Sequence, residues 1–465
     1  MDLCATPAID LARMIRSREL SATELLDAML ARIEAVNPSV NAIVTLAAEQ
    51  ARATAADLDT RAARGSFAGP LHGLPIAIKD LAETAGIRTT YGSPIFASQI
   101  PTFDAPHVAL LKAAGAVVIG KTNAPEFGAG SQTFNQVFGP TRNPYDTRLT
   151  PGGSSGGAAA AVAAGMIPFA DGSDLAASVR NPAAFCGLVG LRTTPGLVPA
   201  DVFDPLAVVG PIARTAPDAA LLLAGMCGPD PGLPLARPDR AEDFLDLRSA
   251  SLRGLRVAWT PDLGDLPVQP EVRSVLGSAR GRLEQAGCEI AGEAPDLSDA
   301  DEVFQVLRAA RMAGLAPLLR AHRDQIKATL AWNIDKGIAL TGEQIAAAHA
   351  GHAAIFARMR SFLRDGRYEV LALPTVQVIP FDVETEWVRE IDGVPMVTYI
   401  DWMRSCSRIT VSAHPAVSVP AGLTAAGLPV GLQLVGRYGA DRRLLEVAAA
   451  VMSLPGFTPP VPPLT

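Results

Sequence analysis

Short apolar runs alternate with helical stretches from residue 74 to the end of the chain, and this alternation limits the fold more than any other feature. The apolar runs lie at residues 74–78, 116–119, 167–170, 255–259, 370–375 and 429–436. Helical spacing of apolar side chains marks residues 108–114, 272–283 and the segment from Asp441. Strand-length runs separated by helices are typical of sheets covered by helices. We therefore predict an α/β fold with a mixed central β-sheet covered by α-helices.

The first 65 residues carry helical patterns. Ser21 and Glu24 have the spacing of a capping box, in which both side chains satisfy free N–H groups at a helix start. Apolar residues follow at helical intervals, and Pro38 predicts that this helix ends before it, because proline cannot continue the hydrogen-bond pattern. We expect a helical N-terminal segment over residues 1–65.

The composition excludes several classes of partner. With 47 acidic and 40 basic residues the net charge is −7, and no cluster of five Lys or Arg occurs, so nucleic acid is not an expected ligand. Five cysteines without a C-x-x-C pair indicate reduced thiols and a cytoplasmic protein. We see no signal peptide, and the uncharged stretches 149–170 and 409–436 contain too many Pro, Gly, Ser and Gln residues for a membrane span. Neither a metal ion nor a cofactor is expected.

The stretch "GAVVIGKT" at residues 115–122 satisfies the phosphate-binding pattern G-x-x-x-x-G-K-[ST] letter by letter. The residues between its glycines are Ala, Val, Val and Ile, which favour a strand over a loop that wraps phosphates. Pro125 also falls inside what should be the first helical turn, where its ring is tolerated only at the very start. We therefore predict a buried strand leading to a polar loop, and not an ATPase site.

A second candidate site begins at "TPGGSSGGAAAAVAAG", where six Gly and Ser residues at 152–157 precede an alanine-rich helix. Hydroxyl groups and free N–H groups at a helix N-terminus favour developing negative charge. The pattern G-x-S-x-G fits at Ser154 and Ser155, but a nucleophile elbow needs an apolar strand directly before it, and "NPYDTRLTP" is turn material. His414 is one candidate base for a serine, although an isolated His in "SAHPAV" is more often structural.

Lys79 ends the apolar run "GLPIAIKD" and is another candidate base. Burial of an ammonium group is costly and lowers its pKa, and a neutral Lys amine can accept a proton from a serine. The alternative is that Lys79 pairs with Asp80 or with another surface carboxylate. The residue types alone leave both interpretations open.

Taken together, these segments resemble the amidase signature family of Ser-Ser-Lys amide hydrolases. The matching blocks, in family order, are "LHGLPIAIKD", "PGGSSGG", "DGSDLAASVRNPAAFCGLVGLRTTPG", "VGPIARTAPDAALLL" and "GLPVGLQLVGRYGADRRLLEVA". The resemblance covers almost the whole chain and implies one amidase domain over residues 1–465. Within it, residues 66–228 would form the catalytic core, residues 229–410 a variable substrate-pocket region and residues 411–465 a C-terminal return to the core.

The resemblance also implies roles for matching positions. Ser178 would be the nucleophile that forms the acyl-enzyme, Ser154 the proton relay and Lys79 the general base. Gly128 and Ser154 would contact the substrate. The implied oxyanion hole consists of the backbone N–H groups of Leu175, Ala176, Ala177 and Ser178. The implied supporting residues are Ser155, Ser173, Asp174 and Arg180.

One departure from the family pattern concerns Ala176 and Ala177, where the family usually has two glycines. If these positions need a positive φ, alanine strains the loop by about 1 kcal/mol or more. The N–H donors remain, so the departure puts the geometry of the oxyanion hole in question rather than the activity.

Substrate choice is expected to come from residues 127–138 and roughly residues 300–410. Four aromatic residues in the second segment are candidates for a pocket wall, although the core is the more common place for each: Trp332, Trp387, Tyr399 and Trp402. The resemblance implies a small primary or aryl/alkyl amide as substrate. The glutamine-amidase subunit of a transamidating complex, an esterase and an inactive binding protein are the alternatives, and a homodimer is an open option.

Overall fold

The structure is a computed structural model that describes residues 2–458 and 461–463. The strands are β1 (Ile43–Leu46), β2 (Pro75–Lys79), β3 (Val117–Thr122), β4 (Phe169–Asp174), β5 (Val189–Arg192), β6 (Val208–Ala213), β7 (Arg256–Trp259), β8 (Glu289–Ala291), β9 (Val370–Pro374), β10 (Glu390–Ile391), β11 (Val394–Pro395), β12 (Ala416–Leu423) and β13 (Pro429–Gly436). The helices are α1 (Ala8–Ser17), α2 (Ala22–Val40), α3 (Ala48–Ala63), α4 (Pro106–Ala113), α5 (Gly156–Ala163), α6 (Arg180–Phe185), α7 (Ala216–Met226), α8 (Glu242–Leu245), α9 (Pro270–Gln285), α10 (Ala300–Met312), α11 (Ala316–His322), α12 (Ala328–Ile338), α13 (Gly342–Asp365), α14 (Arg404–Val411) and α15 (Asp441–Met452).

The larger sheet has eight strands in the order β4-β6-β5-β12-β13-β9-β7-β8. Strand β7 is parallel to both β8 and β9, whereas the other neighbouring pairs are antiparallel. Helices α6, α7, α9 and α15 pack against these strands. The predicted α/β fold, with a mixed central sheet covered by helices, is confirmed.

A smaller three-stranded sheet, in the order β1-β3-β2, carries Lys79. Strands β2 and β3 are parallel and completely buried, and Lys79 is paired with Thr122. The segment that matches the phosphate-binding pattern therefore forms a buried strand, as predicted. The Lys79 N–H group donates to Asp171 Oδ1 on β4 at 2.9 Å, and this bond joins the end of the small sheet to the large one.

Two details of the N-terminal segment differ from the prediction of helices alone. Helix α2 has the predicted capping box of Ser21 and Glu24 but continues past Pro38 to Val40. A proline in the last turn removes only one hydrogen bond, and Asn41 then ends the helix in a left-handed conformation with φ 55°. Strand β1, which pairs antiparallel with β3, lies inside the segment predicted as helical. Its four residues are too few to show a strand period between two helices.

Residues 229–252 contain only the short helix α8 and pack back onto the molecule, since the Arg237 N–H group donates to Gly196 O at 3.0 Å. In the part of the chain that the structure describes, no helix combines the length and the apolar character that a membrane span requires. The division into residues 66–228, 229–410 and 411–465 stays a prediction.

Candidate active site

Lys79 lies with its side chain completely buried at the end of β2. Its Nζ is 2.8 Å from Ser154 Oγ, 2.8 Å from Ser155 Oγ and 3.0 Å from Ser173 Oγ. Asp80, the alternative partner considered above, turns the other way and accepts hydrogen bonds from the Thr90 N–H group. The surface ion pair is therefore wrong, because the amine is surrounded by serine hydroxyl groups.

Burial lowers the pKa of Lys79 to about 7, although the nearby carboxylates of Asp171 and Asp174 oppose the shift by favouring the ammonium form. An ordinary lysine has a pKa near ~10.4 and is almost fully protonated at neutral pH. Lys79 is instead neutral in a substantial fraction of molecules near pH 7. An amine in this state can accept a proton from a neighbouring hydroxyl group.

Ser154 lies in the tight turn that leads into α5. The Gly153–Ser154 peptide bond is cis, and Ser155 is the N-cap residue of α5. Gly128 lies against this turn with φ 71°, and a Cβ atom on it would lie 3.0 Å from Leu81 and 3.5 Å from Ser154 Oγ. A side chain at residue 128 would therefore crowd the space beside the Ser154 hydroxyl group.

Ser178 lies in the connection between β4 and α6, and its carbonyl oxygen accepts a hydrogen bond from the Ser155 N–H group at 3.1 Å. This bond holds the loop of Ser178 against the loop of Ser154. Both serines line the same cavity together with Lys79. The fold thus brings together three side chains that the sequence separates by 75 residues (Lys79 to Ser154) and by a further 24 residues (Ser154 to Ser178).

The loop at residues 175–178 presents free backbone donors. Among the described residues, none of its four N–H groups has a hydrogen-bond acceptor. The Ala176 carbonyl oxygen accepts from Arg180 Nη2 at 2.8 Å and from Thr410 Oγ1 at 3.3 Å, which turns it into the protein. Because the N–H and C=O groups of one peptide unit point in opposite directions, the Ala177 N–H group points away from Arg180.

Ala176 and Ala177 do not belong to the residues with positive φ. The strain that two alanines would cause in a left-handed loop is therefore absent. The side chains at these positions instead join an apolar cluster with Phe185 and Trp402.

Asp174 and Arg180 hold the loop from inside. Asp174 accepts from the Val179 N–H group at 3.1 Å and pairs with Arg180 at 2.9 Å and with Arg192 at 3.5 Å, and all three charged side chains are buried. Burial alone raises the pKa of Asp174, but the two guanidinium charges outweigh it and bring the pKa to about 2. The carboxylate is thus ionised, and its hydrogen bonds fix the turn that follows it.

The cavity has a volume of about 330 Å³. The predicted residues that line it are Lys79, Gly128, Ser154, Ser173, Asp174, Leu175 and Ser178. Its other walls come from residues 81–83, 105–107 and 198–209 and from two residues of α10, Arg311 and Met312. Within residues 2–458 and 461–463, no group of three His, Cys, Asp or Glu side chains is placed to bind a metal ion.

The four aromatic residues proposed for the pocket wall do not line this cavity. Trp387, Tyr399 and Trp402 are buried in an apolar cluster, and Trp332 packs against the same cluster, so this prediction was wrong. Large aromatic side chains contribute more to folding in a core than at a small polar cavity. His414 lies outside the cavity as well and bonds through Nδ1 to Ser412 O at 2.7 Å, which agrees with a structural role.

Sequence reasoning missed two buried polar residues of the cavity, His107 and Asp171. His107 Nε2 lies 3.3 Å from Asp171 Oδ2. The signal was present, since a His in the first turn of α4 and an Asp in the apolar strand β4 are both unusual in buried positions. Their pairing is not visible in the sequence, because 64 residues separate them.

Three comparisons agree with this geometry. The sequence model of the Amidase family matches residues 24–445. The chain is 38% identical over 450 residues to an acylamidase of Rhodococcus erythropolis, covering 95% of this chain and 94% of that protein. It is 34% identical over 478 aligned positions to a glutamyl-tRNA(Gln) amidotransferase subunit of Moorella thermoacetica, covering 97% and 96%. A bacterial aryl acylamidase crystal structure, described as that of an amidase signature enzyme, superposes with a TM-score of 0.87 at 30% identity and covers 96% of each chain.

The match of the family model and the similarity to the acylamidase extend over nearly the whole chain. The site geometry fits the same family, because a buried amine, two serines and a loop of free N–H groups meet in one cavity. The chain therefore belongs to the amidase signature family and is an amide hydrolase.

Proposed function

We propose that the protein hydrolyses a small primary or aryl/alkyl amide through an acyl-enzyme on Ser178. The proposal depends on one observation: the buried Lys79 amine lies 2.8 Å from Ser154 Oγ, in the cavity that Ser178 also lines. With its pKa lowered to about 7, this amine can act as a base at neutral pH.

The reaction begins when Ser178 Oγ attacks the carbonyl carbon of the amide. Its proton moves to Ser154 Oγ, and the proton of Ser154 moves to Lys79 Nζ. The proton then returns from Lys79 through Ser154 to the nitrogen of the substrate, and the carbon–nitrogen bond breaks as the amine leaves. Water attacks the resulting ester along the same proton path, which releases the carboxylic acid and restores Ser178.

The carbonyl oxygen of the substrate becomes an anion in both steps. The free N–H groups of Leu175, Ala176, Ala177 and Ser178 supply donors beside the nucleophile. Donors fixed before the reaction stabilise this charge without reorganisation, and the loss of one typically costs about 10²–10³ in rate. Asp174 and Arg180 would act indirectly, by fixing the loop that carries these donors.

The size of the substrate follows from the cavity. A volume of about 330 Å³ is at the lower end of the range for small-molecule sites, which is roughly 300–1,000 Å³. Apolar side chains such as Leu81, Phe127 and Val198 share the lining with the polar groups. This mixture suits a small amide with an aryl or alkyl group.

A glutamine-amidase function is the second candidate, because the similarity to the amidotransferase protein extends along nearly its full length. An esterase on the same residues is a third, since an ester forms the same acyl-enzyme. The experiment is to assay the purified chain alone on primary benzamides, anilides, aliphatic primary amides, glutamine and matched esters, with Ser178→Ala as the control.

We expect turnover of at least one aryl or alkyl amide and its loss in Ser178→Ala. Turnover of glutamine only, or of esters only, would favour the other two candidates. Absence of turnover on every amide at high enzyme concentration would contradict the proposed substrate class.

A further inference from the structure

His107 is a cavity residue that the proposed mechanism does not use. It lies in the first turn of α4, is only 6% exposed, and lines the cavity beside Ala105 and Pro106. Its Nε2 lies 3.3 Å from Asp171 Oδ2, and the other oxygen of this buried carboxylate accepts from the Lys79 N–H group at 2.9 Å. The imidazole ring is thus anchored on the strand that leads to the loop of Ser178.

Asp171 determines which ring nitrogen of His107 carries the proton. An ionised carboxylate only accepts hydrogen bonds, so Nε2 must be the donor, and in the neutral imidazole Nδ1 then has a free lone pair. Among the described residues, Nδ1 has no hydrogen-bond partner. It is also absent from the polar atoms that are sealed from solvent without a partner, in contrast to Nε2 of His414. An acceptor on a cavity wall is therefore left for a ligand.

The other polar groups on the walls add acceptors rather than donors. Glu83 accepts from the Tyr91 hydroxyl group at 2.8 Å through Oε1, and its Oε2 has no donor among the described residues. The guanidinium group that reaches the cavity from α10, that of Arg311, is paired with Asp204. A ligand with spare N–H or O–H groups would find partners here, and a ligand with spare acceptors would not.

We propose that His107, oriented by Asp171, accepts a hydrogen bond from the substrate and selects amides that carry an N–H or O–H donor in addition to the scissile group. This inference rests on the proposed function, because it assigns the substrate class of the same cavity. His107 is a positioning residue and takes no part in the proton transfer through Ser154.

The test compares pairs of substrates that differ only in this donor. Each pair is a benzamide or an anilide with either an amino group or a methyl group at the same ring position, taken through all ring positions. The measured quantity is the ratio of kcat/KM within each pair. For the ring position that reaches His107, we expect the wild-type enzyme to prefer the amino compound by about tenfold, the value of one neutral hydrogen bond at a site built to receive it.

Two variants test the origin of this ratio. His107→Leu removes the acceptor, so the ratio should fall to about one while the methyl compound is still hydrolysed. Asp171→Asn keeps an oxygen for the Lys79 N–H group but offers an amide N–H to Nε2, which moves the ring proton to Nδ1. The preference for the amino compound should then be lost, because Nδ1 has become a donor. If His107→Leu does not fold, Asp171→Asn and His107→Asn, which retains an acceptor near Nδ1, provide the comparison.

A wild-type ratio near one at every ring position, or a ratio that both variants leave unchanged, would overturn the inference. Turnover of the methyl compounds would in that case leave the proposed function intact. If wild-type enzyme turns over no amide at all, the proposed function fails first, so the two failures are distinguishable.

Discussion

The pH dependence of kcat/KM follows directly from the burial of Lys79. With a pKa of about 7, the neutral amine makes up roughly 9% of the molecules at pH 6, about 50% at pH 7 and about 91% at pH 8. The rate should therefore rise about tenfold between pH 6 and pH 8 and then become constant. A lysine with an ordinary pKa near ~10.4 would instead give a rise of about 100-fold over the same interval, with no plateau below about pH 9.

The assay measures kcat/KM on an uncharged amide, because a substrate without a titrating group leaves only the enzyme to respond. Buffers of constant ionic strength keep surface electrostatics the same across the series. The control is Lys79→Ala, whose residual activity should lack the rise centred near pH 7. A wild-type rate that continues to increase tenfold per pH unit through pH 9 would refute the reasoning, and so would the same midpoint in Lys79→Ala.

The remaining predictions concern the groups around this lysine. Asp171→Asn removes a negative charge that favours the Lys79 ammonium form, so the midpoint of the pH profile should move below 7. Arg180→Met leaves the buried Asp174 carboxylate without its closest partner and should lower the free energy of unfolding by about 3–5 kcal/mol, as measured by urea unfolding at pH 7. Ala177→Gly should give no gain in kcat and should lower the free energy of unfolding by up to about 1 kcal/mol, because the native φ does not need glycine.

Each of these has a result that contradicts it. A midpoint that moves upward in Asp171→Asn would mean that the carboxylate does not stabilise the ammonium form. For Arg180→Met, the loss should shrink as the pH falls towards 2, because a lowered pKa stabilises the fold only while the carboxylate is ionised; a loss independent of pH would point to packing alone. A faster enzyme in Ala177→Gly would show that the alanines do distort the oxyanion hole.

Local patterns made the main parts of the site predictable. Lys79 ends an apolar strand, and the Gly-Ser run precedes an alanine-rich helix, and both features are encoded in consecutive residues. The predicted strand at residues 115–122 followed from β-branched residues in the same way. The structure places these elements as expected because each has a strong local preference.

Other features depend on contacts between distant segments. The pairing of His107 with Asp171 and the free donors of residues 175–178 arise only when the sheets pack together. The aromatic residues Trp387 and Trp402 were misassigned to a pocket, because composition cannot distinguish a core face from a cavity wall. Strand β1 was missed because its partner β3 lies about 75 residues away in sequence and determines its conformation.

The most direct test of the central claim is to identify the residue that forms the covalent intermediate. The protein is treated with a fluorophosphonate, digested, and analysed by mass spectrometry, alongside Ser178→Ala and Lys79→Ala. We predict a single label on Ser178, no label in Ser178→Ala, and much slower labelling in Lys79→Ala. A label on Ser154 or Ser155, or equally fast labelling without the lysine, would contradict the proposed path of the proton from Ser178 through Ser154 to Lys79.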